Sequence, residues 1–138
     1  MKNDYQEAWT VSEGKYDGHR ITVRKNVGAR SLCGDAAYPF RLGIAIPFLD
    51  PQKDGMPLKG ENEIYNRIED LICDYFEPHN SGVLCLVLTT QGMKEFILYT
   101  NTDKLVDLIG SLKIHFSEYD IQHYVEQDTE WEVYGQWK

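Results

Sequence analysis

The 138-residue chain lacks the marks of most membrane and catalytic proteins. No apolar run reaches the roughly 18 residues that a membrane-crossing helix requires, and no basic stretch followed by an apolar segment stands at Met1. These absences predict a cytoplasmic protein with no membrane association. Cysteine is scarce: Cys33, Cys73 and Cys85 are odd in number, far apart and free of C-x-x-C spacing. That predicts reduced thiols rather than a disulfide framework. The G-x-S-x-G, H-E-x-x-H, P-loop and G-x-G-x-x-G patterns are absent, and Asp54-Gly55 lacks the D-x-D-x-D-G spacing of a calcium loop. No metal-ligand set and no cofactor is expected, and the balance leans away from an enzyme. Positive charge is also short. With 14 Lys and Arg against 22 Asp and Glu, the formal charge is -8, which argues against general nucleic-acid affinity, since that needs clustered cations.

What is present reads as one folded α+β domain over residues 1–138, with 42% hydrophobic residues to build a core. Two short strands are expected first. Tyr5 to Val11 alternates, Ser12-Glu13-Gly14 begins a turn that Gly18 ends, and Arg20 to Asn26 alternates again. Residues 28–37 form a loop. Phe40, Leu42, Ile44, Ile46 and Phe48 share one face of a third strand with strict period two, which Pro47 should terminate. A helix is predicted over Lys59 to Phe76, buried along Ile64, Ile68, Leu71, Ile72, Tyr75 and Phe76. After the turn His79-Asn80-Ser81-Gly82, strand Val83 to Thr89 and strand Met93 to Thr100 flank a tight turn. A second helix, capped by Asn101 or Thr102, buries Leu105, Leu108, Ile109 and Leu112. Tyr119 to Glu126 alternates as a last strand, and Trp131, Tyr134 and Trp137 follow in an aromatic C-terminal tail. From Phe40 on, the order is that of a ferredoxin-like βαββαβ sandwich with an added N-terminal β-hairpin.

The run Val83-Leu84-Cys85-Leu86-Val87-Leu88 has no polar face, and Met93, Ile97 and Tyr99 oppose Phe96 and Leu98 on the next strand. Such strands are covered on both sides. Two helices cover only one, so the other must lie under the tail, the hairpin or a partner molecule. An uncovered patch of some 400 Å2 would forgo on the order of 10 kcal/mol. The fully apolar strand also falls on an edge of the βαββαβ order, which calls for the hairpin or a dimer beside it.

Several residues are candidates for binding. Arg20 and Arg24 project from one face of the second strand and suit a small anion, or else ion pairs with the crowded acids Glu118, Asp120, Glu126, Asp128, Glu130 and Glu132. His123 alternates with Ile121 and Val125 onto an apolar side, where it suits proton transfer or a buried hydrogen bond. A pocket between residues 28–37 and the tail, holding an anion on Arg24 beside His123, is the enzyme or ligand-binder alternative. Glu69, Asp70 and Asp74 read as a solvated helix face.

Certain residues in order resemble a mostly bacterial family, domain of unknown function 695. They are Trp9, Gly18, Arg24, Tyr38-Pro39, Asp54-Gly55-Met56-Pro57, Ile68-Glu69-Asp70, Thr89, Gly92, Tyr99-Thr100, Asp128, Trp131 and Tyr134. The resemblance implies a compact α+β domain with no established activity. Members joined to a domain similar to regulators of ribonuclease E add an expectation of regulation through protein contact. The expected function is therefore a regulator or antidote-like module, binding a protein partner through the helix-free sheet face and the tail. Tyr38, Tyr99, Trp131 and Tyr134 join the two arginines and His123 as binding candidates. A structural homodimer is the other alternative.

Overall fold

The computed structural model describes residues 6–76, 78 and 81–137. Tyr5 of the expected first strand and His79 and Asn80 of the expected turn lie outside the described residues. Strands β1 (Trp9–Tyr16), β2 (His19–Asn26), β3 (Phe40–Pro47), β4 (Gly82–Thr90), β5 (Met93–Thr100) and β6 (Gln122–Gln127) form one antiparallel sheet in the order β1-β2-β4-β5-β3-β6. Helices α1 (Lys59–Phe76) and α2 (Val106–His115), a short α3 (Glu132–Gln136) and a 3-10 helix at Val27–Leu32 complete an α+β fold.

The strict alternation of β3 buries Leu42, Ile44 and Ile46 completely, and the ladder with β5 stops at Pro47. Helix α1 has the expected bounds, but its inward stripe is rotated. Glu61, Tyr65, Ile68, Ile72 and Phe76 are buried, while Tyr75 is exposed. Glu61 goes inward because its carboxylate accepts hydrogen bonds from the Leu49 N–H (2.7 Å) and the Tyr119 hydroxyl (2.9 Å). Helix α2 starts later than expected, without a side-chain cap. Thr102 instead holds the approaching loop, its hydroxyl accepting from the Lys104 N–H at 3.1 Å.

The first strand is also displaced. It runs through Ser12-Glu13-Gly14 to Tyr16, and the reversal falls on Asp17-Gly18, both at positive φ (53° and 80°). Positive φ at both central residues is the type I′ hairpin geometry that Asp-Gly favours. Strand β2 then pairs with β4, so the hairpin occupies the edge beside the apolar strand.

Two cores lie on opposite sides of the sheet. The first joins α1 and α2 to Leu42, Ile44, Ile46, Leu84, Val87, Phe96 and Leu98. The second gathers Val83, Cys85, Leu86, Leu88, Ile97 and Tyr99 under Ala29, Tyr38, Trp131 and Tyr134. A bulge between Leu84 and Leu86 explains the uneven split. One extra residue sends Cys85 and Leu86 to the same side, so the period-two assignment fails there. The helix-free face is apolar over only half its width. Toward β3 and β6 it is polar: the Tyr124 hydroxyl donates to Glu95 at 2.6 Å, and a Cβ on Gly43 would meet the Tyr124 ring at 2.2 Å.

Candidate functional site

The tail is held by a carboxylate rather than by apolar contact alone. Asp128 follows β6 directly. Its Oδ1 accepts from the Glu132 N–H (2.8 Å), and its Oδ2 accepts from the Tyr99 hydroxyl (2.7 Å), Arg41 Nη1 (2.9 Å) and the Val133 N–H (3.3 Å). Burial alone would raise the Asp128 pKa. The bonds from Tyr99, the two backbone N–H groups and Arg41 outweigh burial and hold it below its usual value. Trp131 takes a left-handed backbone (φ 56°), which lays its indole flat on Tyr99, with centroids 4.1 Å apart and planes 11° from parallel.

Two rings of the tail also cap backbone groups. Trp131 Nε1 donates to the Tyr38 carbonyl (3.0 Å), and the Tyr134 hydroxyl donates to the Asn26 carbonyl (2.7 Å). Asn26 reaches on to the Leu84 carbonyl at 3.1 Å. Burial pushes the Tyr134 phenol up to about 12. Lys25, itself buried, donates to the Trp137 carbonyl and sits 4.3 Å from the centroid of the Tyr134 ring. Burial, then the nearby Arg30, lowers its pKa. Tyr38, Tyr99, Trp131 and Tyr134 thus meet in one place, and all four are at most 3% exposed.

The arginines pair internally, but not with the C-terminal acids. Arg24 makes a bidentate bridge to Glu69 on α1 (2.8 and 3.2 Å) and lies 4.9 Å from the Trp9 ring centroid. On the exposed hairpin Arg20 bridges Glu13 (3.0 Å), and it also reaches Asp54 in the loop between β3 and α1 (2.8 Å). The acids near the tail bind Arg41 instead, through Glu126 and Asp128. His123 is exposed, a correction to its expected apolar setting. It does face the core side, opposite Ile44, but on the edge strand no helix covers it.

Arg24 and His123 are not brought together. Strands β4, β5 and β3 separate β2 from β6, a span of roughly 19 Å at about 4.8 Å per strand. Arg24 also lies on the helix side, whereas the loop and tail lie on the other. Asp128 and Asn26 carry the tail network, yet sequence reasoning missed them as a pair. Asp128 stood out only as one of the crowded C-terminal acids and as a mark of the family resemblance, and Asn26 only as the end of the second strand.

The remaining open feature is β1. It pairs with β2 along its inner side, forms a sheet edge on its outer side, and is exposed from Thr10 to Tyr16. Val11 and Tyr16 are 65% and 54% exposed. Among the described residues no group of three or more His, Cys, Asp or Glu is placed to hold a metal ion, and no helix is long and apolar enough to cross a membrane.

A family of unknown function, DUF695, matches residues 7–137. No curated protein and no solved structure matches the chain.

Proposed function

The chain belongs to this family of unknown function, and on that footing we propose that it is a non-enzymatic protein-interaction module of regulator or antidote type. The observation that carries the reading is the bare edge of β1. An eight-residue strand, paired on one side only among the described residues and exposed from Thr10 to Tyr16, is a template for strand addition by another polypeptide. The reading moves the contact away from the tail rings, because Trp131 and Tyr134 are already packed on the chain's own sheet. The net charge of -8 favours a protein over a nucleic acid as partner. Three free thiols support a reducing, cytoplasmic setting. The order β4-β5-β3-β6, with α1 and α2 packed in the first core, supports a ferredoxin-like reading of the second half.

The test is affinity capture from native lysate with the wild-type chain and with Glu13→Pro. In a two-residue hairpin the pair flanking the turn, Tyr16 and His19, exchanges hydrogen bonds, so the groups of Glu13 point outward. Proline there removes an outer donor and leaves the β1–β2 ladder intact. Capture of a protein by the wild type and its loss with Glu13→Pro is expected. Equal capture by both, or a monomeric bait alone, overturns the reading.

A further inference from the structure

We propose that the strand added to β1 is the β1 of a second copy, paired antiparallel about a two-fold axis at Gly14. This inference rests on the interaction-module reading and names its partner. The type I′ turn fixes which backbone groups are free. Tyr16 and His19 form the hydrogen-bonded pair next to the turn, and the β1–β2 register continues without a shift from there to Trp9 and Asn26. Alternation along the ladder then turns the N–H and C=O groups of Val11, Glu13 and Lys15 away from β2, toward solvent.

An added antiparallel strand must use those odd-numbered residues. Centred on Gly14, the strands place Glu13 of each copy directly opposite Lys15 of the other. That pair exchanges two backbone hydrogen bonds and brings opposite charges together on the same face, twice over by symmetry. Centred one residue earlier, on Glu13, the same ladder would set two carboxylates face to face. Gly14 has open space where a Cβ would be, so no described residue obstructs the crossing point. Ser12 then faces Tyr16 of the other copy, and both ends of the contact stop at the Asp17-Gly18 turn. No proline interrupts β1, and its ladder with β2 carries no bulge, so it lacks two common devices against edge pairing.

Sedimentation of the full chain over a range of concentrations tests the pairing. A reversible monomer–dimer equilibrium is expected for the wild type. Lys15→Glu sets like charges opposite one another twice and should weaken dimerisation by about tenfold or more. The double variant Glu13→Lys/Lys15→Glu restores opposite charges and should return the dissociation constant to within about threefold of wild type. It also keeps a carboxylate beside Arg20, because position 15 faces Arg20 across the hairpin. Unchanged thermal melting would show that each variant folds.

A wild type that stays monomeric up to millimolar concentration overturns the proposal, as does a Lys15→Glu variant that dimerises like wild type or a double variant that remains weak. If the wild type is monomeric but Glu13→Pro still abolishes capture of a different protein, the second-copy pairing falls and the interaction-module reading stands. If neither dimer nor captured protein is found, both fall.

Discussion

The two faces of the sheet are sheltered by different chemistry. On the helix side, Phe48, Phe76, Phe96 and Phe116 join aliphatic residues from α1 and α2, and buried polar-tipped rings are confined to Tyr65, bonded to the Ile46 and Pro47 carbonyls, and Tyr119, bonded to Glu61. On the other side the aromatic cover is tyrosine and tryptophan, with no phenylalanine in the cluster. The reason lies in the backbone. A helix satisfies its own N–H and C=O groups and needs only an apolar stripe to bury a sheet. A short tail has carbonyls and N–H groups left over, and it lies over others, such as those of Asn26 and Tyr38. Rings with a polar tip fill volume and bond those groups together, and Asp128 ties the ends. The tail's Trp131 and Tyr134, which look like binding hot spots in sequence, are thus the polar joinery of a second core.

The tail side should therefore be the more sensitive to loss of polar atoms. The largest effect is expected from Trp131→Ala, about 3–5 kcal/mol by urea unfolding, since it removes the indole that stacks on Tyr99 and its bond to the Tyr38 carbonyl. Asp128→Asn comes next, at about 2–3 kcal/mol, because one charged hub serves four donors. The same variant should flatten the acid limb. A carboxylate whose folded pKa is lowered stabilises fully above its unfolded value, about 3.9, and loses that contribution as pH falls through the folded one. Urea midpoints of wild type should therefore fall more steeply than those of Asp128→Asn below about pH 4.

Smaller changes sharpen the contrast. Tyr134→Phe keeps the ring but strands the Asn26 carbonyl, at about 1–2 kcal/mol. Near its rim the helix side carries the Arg24–Glu69 bridge, with side chains 31% and 21% exposed. A double-mutant cycle there should return a coupling of about 1 kcal/mol or less. If Tyr134→Phe were neutral while the Arg24–Glu69 coupling proved large, the contrast between the faces would be reversed.

Legibility in the sequence followed the strength of the periodic signal. Phe40 to Phe48 and the bounds of α1 were readable because a period of two and a helical stripe each ran unbroken to a proline. β1 was misread because both its faces are exposed. With no core to set a period, Gly14 outweighed the better turn signal Asp17-Gly18. The bulge in β4 was invisible, since an all-apolar run has no alternation to lose. Alternation placed His123 on the correct side but said nothing about coverage, which depends on where a helix ends. Partners were the least readable. Arg24 meets Glu69, 45 residues away in the chain, through a strand order that local pattern does not encode.

The tail follows all six strands in the chain, and this has a consequence during synthesis. At about 5–20 residues per second, a ribosome delivers the last strand before it delivers Trp131 and Tyr134. For that interval the nascent domain carries an oily sheet face covered only by Ala29 and Tyr38, and Asp128 is the hinge post on which its shutter later hangs. A stalled or truncated product that ends before Trp131 would keep that surface half-covered, a natural substrate for chaperones and proteases.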